Sequence, residues 1–194
     1  ASLEGQRTLY EGMERLGLAV NGVDNASSAA SAIGQLQLAL QTYSATPSNR
    51  NLAENAVDSA RTVVRSLNSG TQAIQSFRVE MDSQIEDSVN ELNDLLNQFK
   101  DANTEVVAGT RNGRDVSDSL DRRDSLLKQI SAIVGVSTLV RADNDMAIIT
   151  KDGATLFEKV PRTVTFQAQP MYSAGAPGNS VYVDGLPIIS GTGG

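Results

Sequence analysis

One pair of side chains in the sequence has the spacing of a catalytic site. Ser125 and Lys128 lie three residues apart in an S-x-x-K pattern, which places a lysine amine beside a serine hydroxyl one helical turn away. In that enzyme class S-D-N and K-T-G elements follow the pair. Here residues 117–119 (Ser-Asp-Ser) precede it, and residues 151–153 (Lys-Asp-Gly) read as a hairpin turn. We interpret both side chains as helix surface, with a serine-lysine hydrolase as the enzymatic alternative.

Four aspartates recur at every third residue: Asp115, Asp118, Asp121 and Asp124. Such a row could hold a metal ion or supply an acid and a base, but no convergent partners accompany it. Acidic side chains near a helix N-terminus interact favourably with the helix dipole. Asp118 also lies four residues before Arg122, which is the spacing of an ion pair on a helix. We therefore expect a solvated helix face, with no metal, cofactor or catalytic residue.

Composition excludes several functional classes. The 194 residues contain no Cys and no His, which removes disulfides, thiolate zinc sites, cysteine nucleophiles and the commonest general base. Sixteen Lys and Arg against 23 Asp and Glu give a net charge of −7, the wrong sign for binding a phosphate backbone. No apolar run approaches the roughly 20 residues that span a bilayer. Neither nucleic acid binding nor membrane insertion is expected.

Hydrophobic periodicity predicts four helices in the first 138 residues. The first carries Leu9, Met13, Leu16 and Val20 and stops at residues 21–22 (Asn-Gly). In the second, Ser27 or Ser28 caps a stripe of Ile33, Leu36 and Leu40, and Pro47 forces a break. The fourth occupies residues 115–134, with its apolar stripe running from Val116 to Val134.

The third helix has the strongest pattern, a heptad seam between about residues 52 and 106. Thirteen of its sixteen positions are apolar, and the exceptions are Thr71, Arg78 and Ser88. A helix of that span is about 80 Å long. Asn93, beside the seam, is expected on the surface. The seam has two interpretations, the core of an intramolecular bundle, which three other amphipathic helices favour, or a surface for partner helices. Its largest members are Leu67, Ile74, Met81, Ile85, Leu92, Leu95 and Phe99.

Beyond residue 138 the period changes from that of helices to that of strands. Four of the five prolines lie in the last 56 residues, and Asp184-Gly185 is a two-residue hairpin signal. The predicted fold class is α+β, with an elongated helical bundle domain over residues 1–138 and a β-rich region over residues 139–194 that begins an outer domain. The predicted strands are residues 136–141, 146–150, 154–160, 164–169, 181–183 and 186–189.

Two arginines interrupt apolar stripes, Arg78 in the seam and Arg123 between Leu120 and Leu127. A charge at such a position must extend to solvent, pair with a carboxylate or contact another subunit. We expect Arg123 to make a specific carboxylate or carbonyl contact, and we expect Arg122 to make none.

With these residues in place, the chain resembles the bacterial flagellar hook-associated protein 1 family, the hook–filament junction proteins. Residues 45–68, with the Pro47 break, look like the family's entry to its long helix. Residues 119–131 resemble its most specific motif, carried by Leu120, Asp121, Arg123 and Asp124. Residues 143–157 are similar to the β stretch that follows. The family's paired terminal segments are absent from this sequence, which therefore looks like an interior fragment.

The resemblance implies a structural protein of the flagellum, exported by the flagellar type III system and assembled extracellularly at the distal end of the hook. Its implied partners are further copies in a junction ring, the hook protein and the next hook-associated protein. The chain by itself is expected to be monomeric. The alternative is another type III-exported axial or surface protein, such as a flagellin-like filament subunit or a translocator.

Overall fold

The computed structural model describes residues 3–188, with side chains from residue 6 onward. Its elements are four helices and six short strands: α1 Leu3–Asn21, α2 Ala29–Ala45, α3 Arg50–Arg111, α4 Ser117–Ile133, β1 Val136–Val140, β2 Met146–Thr150, β3 Thr155–Phe157, β4 Val164–Thr165, β5 Tyr182–Val183 and β6 Leu186–Pro187. The α+β class predicted from the sequence is confirmed. All the strands except β2 are shorter than predicted, and Ile189 lies outside the described residues.

The helix boundaries follow from local backbone chemistry. Gly22 ends α1 at φ 70°, and a Cβ built on it would lie 2.9 Å from Ser27 Oγ, so glycine fits there. Ser28 caps α2, because its Oγ accepts a hydrogen bond from Ser31 N at 3.1 Å. Pro47 lies in the exposed loop before α3, where Asn49 Oδ1 accepts from Asn51 N at 3.0 Å.

Two compact units make up the chain. The first, which we call the helical unit, comprises Gly5–Glu80 with Pro170–Ala176, so it contains α2, most of α1 and the first half of α3. The second, which we call the mixed unit, comprises chiefly Met81–Gln169 and the described residues from Pro177 onward. The domain boundary expected at residue 138 stays a prediction.

Within the mixed unit, two antiparallel sheets pack with α4 and the end of α3. The sheet orders are β1-β2-β3 and β4-β5-β6, and the β1–β2 register pairs Val136 with Thr150 and Val140 with Met146. The largest side chains with under 2% exposure are Phe99, Phe157, Leu96, Ile130, Ile148, Leu156 and Val106. The rings of Phe99 and Phe157 meet edge to face at 5.1 Å. Helix and sheet residues thus share one core, which extends across residue 138.

In the helical unit, α3 packs through one face. Its buried or half-buried residues Ala56, Val63, Gly70 and Phe77 repeat every seven positions. A Cβ built on Gly70 would lie 3.5 Å from Val20 Cγ1 of α1. The lack of a side chain at Gly70 allows α3 to approach α1 closely at this point.

Candidate functional site

The seam of α3 is buried in only part of its length. Leu92, Leu95 and Phe99 are 4%, 5% and 0% exposed in the core of the mixed unit, and Met81 is half-buried. By contrast Leu67, Ile74 and Ile85 are 52%, 40% and 39% exposed. The expectation that these three form a core within this chain is therefore wrong.

The reason is that α3 packs through a different face in the helical unit. In the helical unit the packed face falls one residue before the seam, at Gly70 and Phe77 rather than at Thr71 and Arg78. The large seam residues Val57, Val64 and Leu67 are then left at least half exposed.

In α2, too, large apolar side chains are exposed and small ones are buried. The predicted stripe included Ile33 and Leu40, yet these are 51% and 50% exposed, and the helix packs through Ala32 and Ala39, at 6% and 7%. Further exposed apolar side chains of the helical unit lie on α1 and α2: Leu9, Tyr10, Met13, Leu18 and Leu38. Exposed apolar side chains favour interaction with another protein where they lie together on the surface.

Arg123 of α4 occupies a polar cluster in the mixed unit. Its side chain is buried, at 4% exposure. Its Nη1 donates to Asn103 Oδ1 at 3.1 Å and to the carbonyl oxygen of Asn144. Burial lowers the pKa of the Arg123 guanidinium, and the charges of Asp124 and Asp145 oppose that shift. The expected carbonyl contact is present, whereas Arg122 is exposed and lies 4.0 Å from Glu105.

Asn103 is the centre of this cluster, and sequence reasoning missed it. Its Oδ1 accepts from Met146 N at 3.1 Å, and its Nδ2 donates to Asp145 Oδ1 at 2.7 Å. Asp143 and Asn144, in the turn between β1 and β2, both have φ of 58°. The cluster therefore fixes a strained turn against α3 and α4. The available signal was an asparagine adjacent to seam residue Ala102, on the buried face of the helix.

The other residues of the motif lie outside this cluster. Leu120 is half-buried, and Asp121 and Asp124 are exposed on α4. Pro47 belongs to the helical unit. The role of these residues as a family motif stays a prediction.

Arg78, the charge in the seam, contacts an aromatic ring and a backbone carbonyl. Its guanidinium lies over the ring of Tyr172, 3.7 Å from the centroid, and Nη2 donates to the carbonyl of Ala176. A cation–π contact explains a positive charge at this position. The segment around Tyr172 has no sequence period that would have indicated it.

Asn93 is also placed differently from expectation. Rather than facing solvent it is half-buried, and its Nδ2 donates to the carbonyl of Val164 at 2.8 Å while its Oδ1 accepts from Val164 N at 3.1 Å. The side-chain amide thus pairs with β4 as a neighbouring strand would. The expectation of a neutral surface position is wrong.

The serine and lysine of the S-x-x-K pattern, Ser125 and Lys128, are both exposed on α4. Across the described residues, no group of three or more His, Cys, Asp or Glu side chains is arranged to hold a metal ion. Within residues 3–188, no helix has the length and apolar content needed to cross a membrane.

The family profile of the flagellar hook-associated protein FlgK helical domain matches residues 20–182, well over half of this chain. The chain belongs to this FlgK helical domain family. The resemblance seen in the sequence is thereby confirmed. A search of curated protein sequences finds no match.

A solved FlgK structure has the same fold. The flagellar hook junction protein FlgK from Burkholderia pseudomallei matches with a TM-score of 0.68 at 20% sequence identity. The match covers 93% of this chain and 32% of that chain, so the present chain spans about a third of the FlgK protein it resembles. At this level of identity the likeness concerns the fold alone.

Proposed function

We propose that this chain is part of a structural subunit at the junction between the hook and the filament of the bacterial flagellum. The observation that carries the proposal is the FlgK helical domain match over residues 20–182. The name of the similar solved protein, a flagellar hook junction protein, supports the same location. The subunit acts by binding to its neighbours and catalyses no reaction.

In this proposal the subunit is exported by the flagellar type III system, folds at the distal end of the hook and associates with further copies in a ring. The hook protein lies on one side of the ring and the next hook-associated protein on the other. The exposed apolar residues of the helical unit, such as Leu9, Met13 and Leu67, favour a role in packing between subunits. The proposal treats the helical residues 1–138 and the β-rich residues 139–194 as two regions that share the core of the mixed unit, with the β-rich part projecting outward.

Deletion of the full-length gene tests the function. Cells should still build hooks, because hook growth precedes this step, but filaments should be missing and flagellin should accumulate in the medium as monomer. The full-length gene should restore filaments. Deletion of a filament subunit would instead leave no flagellin in the medium, and deletion of a translocator would leave filaments intact. Normal filaments on the deletion strain, seen by electron microscopy, would refute the proposal.

A further inference from the structure

The hydrogen bonds between β1 and β2 leave one side of β1 free. Arg141 N donates across this ladder at 2.6 Å, and Gly135 O accepts across it at 3.1 Å. Positions that bond to the partner strand alternate in an antiparallel ladder, so residues 137 and 139 also bond to β2. The N–H and C=O groups that point away from β2 are those of Val136, Thr138 and Val140. Within residues 3–188 these six groups have no hydrogen-bond partner, and we call them the free edge of β1.

The other three sheet edges in the described part of the chain are protected. On β3, Leu156 O accepts from Arg162 N at 2.8 Å. On β4, the side-chain amide of Asn93 bonds to both main-chain groups of Val164. On β6, the residue that points outward is Pro187, which has no N–H to offer. Proteins commonly protect exposed strand edges in these ways, because an open edge pairs with other chains.

The sequence of β1 provides no such protection. Its five residues, Val-Ser-Thr-Leu-Val, include no charged side chain and no proline, and all but the first are exposed. Leu139 and Val140 are 54% and 56% exposed, and they lie on opposite faces of the sheet because successive side chains alternate. The free edge of β1 is therefore open to an added strand, with an apolar side chain available on each face.

The groups on the free edge define the chemistry of the occupant. N–H and C=O groups in an extended row pair with another extended main chain, and β-branched or apolar residues of that chain would pack beside Leu139 and Val140. Charge then selects among such segments. Residues 81–169 and 177–188 contain ten Lys or Arg and sixteen Asp or Glu, a net charge of −6. This charge attracts a basic segment and repels an acidic one, including a second copy of the same unit.

We propose that the free edge of β1 binds an extended, basic segment of another protein as an added antiparallel strand. Antiparallel pairing is the more stable arrangement per residue. Main-chain hydrogen bonds to Val136, Thr138 and Val140 hold the segment, and its positive charge favours it over other extended segments. The interaction goes beyond the junction role and does not depend on it.

A peptide titration followed by NMR tests the free edge in the folded 194-residue chain. The probe is the peptide Lys-Thr-Val-Thr-Val-Thr-Lys, methylated at alternate main-chain nitrogens so that one edge can pair and the peptide does not aggregate. On binding, the amides of Val136, Thr138 and Val140 should exchange several-fold more slowly with solvent. Those of Ser137 and Leu139, already bonded to β2, should change little.

Two control peptides isolate the hydrogen bonds and the charge. The same peptide methylated at every main-chain nitrogen cannot donate to the free edge and should leave exchange at the three outward amides unchanged. The alternately methylated peptide with Glu in place of both Lys should bind several-fold more weakly.

Thr138→Pro tests the edge from the side of the protein. It removes the central outward N–H, and proline is tolerated where the N–H of an edge strand faces solvent. Binding of the lysine probe should weaken several-fold, while slow exchange at Ser137 and Leu139 would show that β1 still pairs with β2. If that pairing is lost in the variant, the comparison of the two methylated probes on the native chain decides.

Several results would overturn the proposal. They are unchanged exchange at the three outward amides, equal effects of the two methylated lysine probes, and equal binding of the lysine and glutamate probes. Undiminished binding to a Thr138→Pro chain that keeps its β1–β2 pairing would do the same. Protection of the outward amides without any probe, rising with protein concentration, would identify a second copy as the occupant and would also overturn it.

Discussion

Replacement of Arg123 by lysine should destabilise the mixed unit far more than removal of the neighbouring Arg122 side chain. The guanidinium donates through Nη1 to Asn103 and to the Asn144 carbonyl. Hydrogen bonds that involve a charged group contribute about 1.5–3 kcal/mol each, and the lysine side chain is one atom shorter, so its ammonium cannot reach the position of Nη1. We expect Arg123→Lys to cost about 2–3 kcal/mol.

Arg122→Ala supplies the matched control on the same helix. The Arg122 side chain is 53% exposed and lies 4.0 Å from Glu105, so its removal should cost about 0.5 kcal/mol or less. Urea unfolding followed by circular dichroism measures both. Since the two compact units can unfold separately, amide hydrogen exchange at Met146, whose N–H donates to Asn103, supplies a local readout.

Two results would refute this reasoning. Equal stability of Arg123→Lys and Arg122→Ala, or the reverse order, would show that the buried guanidinium makes no specific contribution. Unchanged exchange at the Met146 amide in Arg123→Lys would show that the cluster does not hold the turn. A double-mutant cycle with Asn103→Ala should give a non-additive term, because the two side chains share one hydrogen bond.

Three further predictions concern the mixed unit. Leu92→Asp should cost more than about 3 kcal/mol in urea unfolding through lost burial and an unpaired charge, and Asn93→Asp should cost about 1–2 kcal/mol by losing its donor to β4. Gly109→Ala should destabilise, because its Cβ would lie 2.3 Å from Val116 Cγ1, and adding Val116→Ala should restore most of the loss. Hydrogen bonds from Ser117 lower the pKa of Asp115 below its ordinary value of 3.8. The Asp115 carboxylate should therefore stabilise the fold above pH 3.8, and this stabilisation should be lost as the pH falls through the folded-state pKa.

Each of these has its own contradicting outcome. Asn97 is exposed on the same helix, so Asn97→Asp should leave the unfolding midpoint unchanged. If Asn97→Asp destabilised the chain as much as Leu92→Asp, the assignment of Leu92 to the core would be contradicted. If adding Val116→Ala did not restore the stability lost in Gly109→Ala, the clash with Val116 would not be the cause of that loss. For Asp115, the stability difference between the native chain and Asp115→Ala should shrink on acidification from pH 6 to below 3.8, and a constant difference would argue against the hydrogen bonds to Ser117.

The sequence predicted the type and order of the helices and strands because capping, proline and glycine signals act locally. It mispredicted the packed faces of α2 and α3. Periodicity identifies where large apolar residues recur, but Ala32, Ala39 and Gly70 are buried because small side chains bring helices close together. The contacts of Arg123 and Asn93 depend on backbone groups of Asn144 and Val164, which only the tertiary fold brings near.

Position in the intact flagellum tests the central claim most directly. Antibodies raised against this chain and carried on gold particles should label isolated flagella at one place, the boundary between the hook and the filament, in electron micrographs. Labelling along the whole filament would indicate a filament subunit. Labelling of cell surfaces away from flagella would indicate a translocator or another surface protein, and either pattern would contradict the assignment to the hook–filament junction.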